Sequence, residues 1–350
     1  MFNKRKSLKF LSCFVLCLLT ASAWGMHEQW RIELPEVGCA AAFEKRKKLS
    51  PEKQLELKTL LFKTLFSACE RLVPIDFAYE QLRRLLDCGT NPDYSPLEHV
   101  QKKGSLMDSA VRMGDGKIIA LLLAYGADPR QRVMIEGCPI DGHPIAKAVN
   151  VESLWLLTRA GADINGQDEF SGNTALISVC SYGDLSAMVW ALLHGANPNG
   201  GPAREFAGAA YAIHEALRLR DLEKVVALLH YGARLDVETP DRGSPLIEAD
   251  RRFNYDQENG FERAQISRAQ LELLQAVNTH KLNPSHVYTL DEYKAMGILH
   301  ESAELIKKAT QAVNDAFVQC ALDDFKHDHH ENMANFAFGR ELGRTLGRKK

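Results

Sequence analysis

Five glycines divide this chain at a nearly constant pitch, and no other feature limits its fold so strictly. They follow apolar helical runs in LLDCGTNP at Gly89, LLAYGADP at Gly126, LTRAGADI at Gly161, ALLHGANP at Gly195 and LLHYGARL at Gly232, at intervals of 37, 35, 34 and 37 residues. Upstream of the last four lie SLMDSA (105–110), HPIAKA (143–148), TALISV (174–179) and YAIHEA (211–216). In three of these the final residue precedes the glycine by 16 positions, and in the HPIAKA unit by 13. A sixth unit opens with SPLIEA (244–249). Self-similarity at this period marks a helical repeat array. In the best-preserved unit, Tyr211 to Asp236, the second helix holds Val225, Val226, Leu228 and Leu229. One helix pair cannot bury so apolar a segment, whereas stacked pairs build a continuous core. Glycine after a helix takes the left-handed conformation at little cost, so a side chain at Gly126 or Gly232 is expected to cost about 1 kcal/mol or more.

These units resemble the ankyrin repeat, which opens with T-P-L-H-x-A and closes near G-A-D. The resemblance covers residues 55–277. It implies an all-α fold, an ankyrin-like helical repeat solenoid of five or six divergent units with a helical carboxy-terminal cap. Thr174 keeps the opening threonine beside Ile177 in place of histidine, while His214 keeps the histidine behind Tyr211. The hydroxyl-to-imidazole bonding of the family is therefore expected to be incomplete, and His214 reads as a structural hydrogen-bonding residue rather than a catalytic one. Gly89, Gly126, Gly161, Gly195, Gly232, Thr174 and His214 are the structural residues of the repeat.

In the family, the loops after each Gly-Ala project as fingers and, with the first helices, form a concave face that binds other proteins. By position after the glycine, the fingers here run over 130–139, 166–172, 200–206 and 238–242. The partner-binding candidates they supply are Arg130, Arg132, Asp168, Phe170, Arg204, Phe206, Asp241 and Arg242. Aromatics and arginines dominate interface energetics. The alternative is that Phe170 and Phe206 pack between neighbouring fingers.

The ends of the chain are organised differently. Residues 1–23 combine a basic head, an apolar run from Phe10 to Leu19 and the small residues Ala21-Ser22-Ala23, the pattern of a secretory signal peptide. A helix from Phe10 to Trp24 would rise about 22 Å, short of the ~30 Å hydrocarbon core, so no stable membrane span is expected after processing. Residues 24–54 form a lead-in with the charged cluster Glu44 to Lys48, expected to be solvated. Helices are then expected from Ser50-Pro51, with Leu57, Leu60, Leu61, Leu65, Ala68 and Leu72 at helical spacing, and from about Phe77 to Asp87 with Leu82, Leu85 and Leu86 inward. The last repeat is interrupted at 250–267 by an exposed insertion or an extended first helix. In the carboxy-terminal region, 278–350, Ile306, Ala309, Val313, Ala316 and Cys320 suit a helix docked on the last repeat, and Arg340, Arg344 and Arg348 form a basic tail.

Composition narrows the function. The net charge of −2 becomes about −6 without residues 1–23, so nucleic acid is a poor partner. Six cysteines outside the signal peptide are scattered without a C-x-x-C pair, which indicates neither a zinc site nor a compact disulfide framework. Asp323, His327 and His330 fall at i, i+4 and i+7 beside Glu331, a spacing that could hold zinc. No second group supports that site, so no metal is assigned. Nucleophile-elbow, phosphate-loop and H-E-x-x-H motifs are absent from the sequence, and neither catalytic residues nor a cofactor are expected. The chain thus reads as an exported, secreted or periplasmic, monomeric, non-enzymatic scaffold for another protein, with a host-directed bacterial effector as one form. A periplasmic binding or structural protein, or a metal-dependent carboxy-terminal domain on the array, is the alternative.

Overall fold

A computed structural model describes residues 38–69, 71–93, 105–130, 134–135, 138–139, 142–168, 171–201 and 211–347. From residue 325 onward only the backbone is described, and the side chains of 38–41, 43, 66, 69 and the two short strands are likewise left aside. Residues 1–23, expected to be a signal peptide, Arg132, Phe170, Arg204, Phe206 and the side chains of His327, His330, Glu331, Arg340, Arg344 and Arg348 lie outside the described residues. The chain divides into two compact units, one comprising residues up to Gln131 together with Ala321–Lys350, the other Arg132–Cys320.

In the first unit, α1 (Gly38–Lys48) packs on α3 (Ile75–Asp87), α2 (Pro51–Cys69) on α3 and α4 (Leu106–Met113), and α5 (Gly116–Ala124) on α4 and α3. Ser50 accepts from the Lys53 amide at 3.3 Å and Pro51 opens α2, where its missing N–H costs nothing. Leu61, Leu65 and Ala68 of α2 and Ala78, Leu82 and Leu86 of α3 recur at one helical face and are buried. Leu60 and Leu72, expected inward from their spacing, are exposed instead, because Leu60 lies off the buried stripe and the helix ends before Leu72. The charged cluster ends α1 with Glu44, Lys45, Lys47 and Lys48 exposed, as expected of a solvated run, whereas Arg46 is drawn in and its guanidinium donates to the carbonyls of Gly89 at 3.4 Å, Thr90 at 3.1 Å and Tyr125 at 3.5 Å. Lys45 adds the Asp87 carbonyl at 3.1 Å. The carbonyls of Asp87 and Tyr125 are ones that a helix end leaves unsatisfied, and those of Gly89 and Thr90 belong to the turn that follows α3.

In the second unit, a two-strand hairpin (β1, Met134–Ile135; β2, Cys138–Pro139) precedes a 3-10 turn at Pro144–Lys147 and α6 (Val151–Arg159). The turn replaces a full first helix, in keeping with the shortened spacing and Pro144 at its start. Then come the pairs α7 (Ala175–Tyr182) with α8 (Leu185–Leu193), α9 (Ala212–Leu219) with α10 (Leu222–His230) and α11 (Pro245–Glu258) with α12 (Ala264–Asn278). Each second helix from α5 to α10 opens on a capping side chain. Asp115, Asn150, Asp184 and Asp221 accept from amides three residues on, at 2.7–3.0 Å. Val225, Val226 and Leu228 are fully buried, as the stacking argument requires.

The interruption of the sixth unit is an extended first helix. α11 runs for 14 residues and turns at Asn259–Gly260 into α12. After α13 (Leu290–Ala295), capped reciprocally by Thr289 and Glu292, comes α14 (His300–Gly347). Ala303, Ile306, Ala309, Val313 and Cys320 are its buried stripe. The helix docks beside the last repeat, where Glu272 of α12 accepts from the Leu299 amide at 2.9 Å, and it reaches further than that repeat. Phe317 meets the rings of His230 and Tyr231, and the Cys320 thiol faces the Ser186 carbonyl at 3.6 Å.

Candidate partner-binding face

The five repeat glycines all sit at positive φ, from +83° to +97°. At Gly161, Gly195 and Gly232 an added Cβ would meet nothing within 4 Å, so the conformation alone calls for glycine there. Gly89 has a second reason, since a Cβ would lie 2.7 Å from the Arg46 amide nitrogen where α1 approaches the turn.

Two and four residues beyond these glycines the sequence places aspartate or asparagine repeatedly, and the structure gives both positions work. Asn91, Asp128, Asp163 and Asn197 each accept from the amide two residues on, at 2.9–3.1 Å, closing the turn locally. The residue four beyond the glycine reaches the next repeat. Asn165 accepts from the Asn197 amide at 2.8 Å and donates to the Gly195 carbonyl at 3.0 Å. Asn199 does the same with Arg234 (2.7 Å) and Gly232 (3.0 Å), and Asp93 accepts from Asp128 at 2.8 Å. This ladder fixes the fingers side by side. It was open to discovery in the sequence as Asp93, Asn165, Asn199 and Asp236 in one register, with Arg130 the exception.

Asp168, expected to face a partner, is turned inward. Its carboxylate accepts from the Ser171 amide at 2.7 Å and hydroxyl at 2.9 Å and pairs with Lys147 at 3.5 Å, leaving the residue 7% exposed. Its aspartate is needed to close the finger, whose ends meet in a bridge between Gln167 and Thr174. Arg242 is also committed internally, to Glu215 at 2.8 Å. Asp241 is exposed, and its carbonyl accepts from Arg251 at 3.4 Å. Arg130 is exposed beside Asp128 at 3.7 Å.

Thr174 caps α7, accepting from the Ile177 amide at 3.4 Å, while Tyr211 at the same place in the next unit makes no side-chain cap. His214 is fully buried and its Nε2 bonds the Gly243 carbonyl of the next finger at 2.9 Å. Burial holds the imidazole below the ordinary histidine range.

Buried carboxylates organise the first helices of the last two repeats. Glu215 meets Arg218 at 2.7 Å as well as Arg242, and although burial alone would raise its carboxyl, the two guanidinia keep it below the usual glutamate range. Glu248 receives Arg251 at 3.3 Å and Arg252 at 2.7 Å. Asp256 is held down at about 2 by Arg220, in a two-point contact at 2.6 and 2.7 Å, by Ser267 at 2.6 Å and by Arg263 at 3.0 Å. Arg220 closes α9 in the left-handed region, φ +58°, where glycine or asparagine is usual. Its reach to Asp256 of the next repeat accounts for an arginine there.

What remains exposed is asymmetric. Among the described residues of the second unit, the exposed large apolar side chains before α13 are Tyr182, Leu219, Ile247, Tyr255 and Phe261, on the first helices α7, α9 and α11 or the turn after α11. Tyr182 is 81% exposed, and Tyr255 stands 6.0 Å from Phe261, ring to ring. The second helices α8, α10 and α12 expose none, and residues 299–320, at the start of α14, meet each of them, at Ser186, at His230 and Tyr231, and at Glu272. Among the described residues there is no group of three or more His, Cys, Asp or Glu arranged for a metal, and no helix long and apolar enough to cross a membrane. Cys88, Cys180 and Cys320 are not joined in disulfides, and burial pushes Cys180 up to about 12, away from nucleophilic use.

Stacked helix pairs, fingers tied by side-chain amides and one uncovered first-helix face define a repeat scaffold that presents a surface to other proteins. The ankyrin repeat family model matches residues 171–200, the unit with Thr174 and the Gly195 turn. The chain is 37% identical over 106 residues to human cyclin-dependent kinase 4 inhibitor B, an alignment spanning 30% of this chain and 73% of that protein. The chain belongs to the ankyrin repeat family.

Proposed function

We propose that this is an exported, monomeric protein-binding scaffold whose partner docks on the first helices of the fourth to sixth repeats. The observation that carries the reading is the asymmetry of exposed apolar side chains, with Tyr182, Leu219, Ile247, Tyr255 and Phe261 on the first helices or the turn after α11 while α14 contacts the second helices. Exposed aromatics grouped on one face of a rigid element are what interfaces use. The kinase in the name of the human relative belongs to that protein, and the repeat scaffold is what carries over.

Affinity capture with mass spectrometry, using the chain from residue 24, tests the binding role. Tyr182→Ala combined with Tyr255→Ala should abolish or sharply reduce capture while shifting the melting temperature little, since neither ring is buried. Undiminished capture by that variant would move the interface elsewhere. Export rests on the character of residues 1–23 and admits either a host-directed effector or an envelope protein. Fractionation with and without a blocked signal sequence separates these, and detection solely in the periplasm ends the effector reading.

A further inference from the structure

The most unusual contact left unassigned lies where α14 crosses the end of α10. His230 and Tyr231 close α10 and meet Phe317 of α14, with ring centroids 6.1 and 6.4 Å apart respectively. The His230 Nδ1 and the Tyr231 hydroxyl are both buried there without a hydrogen-bond partner. A neutral ring tolerates this at modest cost, but protonation would make the buried Nδ1 a charged donor with no acceptor in reach.

Among the described residues, no charge acts on His230 to compensate a positive one. On α10, Glu223 lies at the far end, and Lys224 bonds the Cys180 and Gly183 carbonyls at 2.9 Å. On α14, the residues one turn from Phe317 on its inner side, Val313 and Cys320, are uncharged. Glu272 of α12 is spent on the Leu299 amide, α8 carries no charged residue, and on α9 Glu215 and Arg218 pair with each other. The partial negative charge at the end of α10 favours a proton, but burial opposes it and keeps His230 below the ordinary histidine range.

We propose that α14 is an acid-released strap: protonation of His230 at mildly acidic pH expels Phe317 and frees the α14 segment from the second helices it covers. Release would uncover the Ile306 and Val313 stripe and the backs of α10 and α8, converting a closed face into an apolar one.

Hydrogen exchange of the full chain, corrected for intrinsic rates, tests this at about pH 7.5 and about pH 5, either side of an ordinary histidine. In the wild type, amides of Ala303–Val313 should exchange several-fold faster at the lower pH while those of Leu222–Leu229 keep their protection. A thiol reagent active in acid should then reach Cys320 but not Cys180. His230→Phe, or His230→Gln should the phenylalanine variant fold poorly, should hold α14 closed at both values. Equal protection at the two pH values, an unchanged acid response in the histidine variants, or simultaneous loosening of strap and repeats would each overturn the proposal.

Discussion

Asp256 shows how one residue decides whether an extension of the repeat is ordered. It has no accessible surface, and its carboxylate is shared by Arg220, Arg263 and Ser267, which between them come from the end of α9 and from the start of α12. Asp256→Ala leaves Arg220, in a left-handed backbone conformation, without its carboxylate and with the Arg218 carbonyl as its remaining contact, and should cost about 3–5 kcal/mol in urea denaturation. A loss under 1 kcal/mol would mean that water replaces the carboxylate freely. His214 acts through protons. Its folded state favours the neutral ring, so the stability it contributes is complete above about pH 6.5 and is lost as pH falls through the lower folded value. His214→Gln should flatten that slope in denaturation midpoints measured between about pH 7 and pH 5. A slope unchanged in the variant would assign the pH dependence to other groups.

Between residue and molecule stands the joint from finger to finger. Asn199 makes two bonds to the following repeat, one accepted and one donated, so Asn199→Ala removes both and should cost about 1–2 kcal/mol. Asn199→Asp keeps the acceptor for the Arg234 amide and should recover part of the loss. Equal losses in the two variants would show that the donated bond carries the joint. Joints of this kind explain what could be read from the chain and what could not. The helix pairs were legible because glycine spacing and apolar runs are local signals. Asp168 was not, since a polar residue in a loop looks the same whether it meets a partner or, as here, Ser171 and Lys147. Arg46 was missed for a related reason. The run of four basic residues reads as solvated, and Lys45, Lys47 and Lys48 are exposed, but the carbonyls of Gly89 and Thr90, about forty positions away, are brought beside Arg46. The face with Tyr182 and Tyr255 was missed because an aromatic at helical spacing is ordinarily core.

At the scale of the molecule, stacked repeats couple mainly to nearest neighbours, and an array built only that way can fray from one end. The α14 helix changes this in the second unit, since one element touches the sixth repeat at Glu272, the fifth at His230 and Tyr231 and the fourth at Ser186. Contacts that skip neighbours turn a series of joints into a single cooperative body. Its hold depends on few large side chains, because Ala303 and Ala309 share the buried stripe with Ile306 and Val313. Ile306→Ala with Val313→Ala should therefore remove about 3–6 kcal/mol of burial and packing from that contact while leaving every repeat sequence intact. In the wild type, amides of α12, α10 and α8 should exchange through one common opening with the same dependence on denaturant. In the double variant, α12 should open first and α8 last, a gradient running from the free end of the array. A common opening retained in the variant would place the cooperativity within the repeats themselves and leave α14 as a cover rather than a brace.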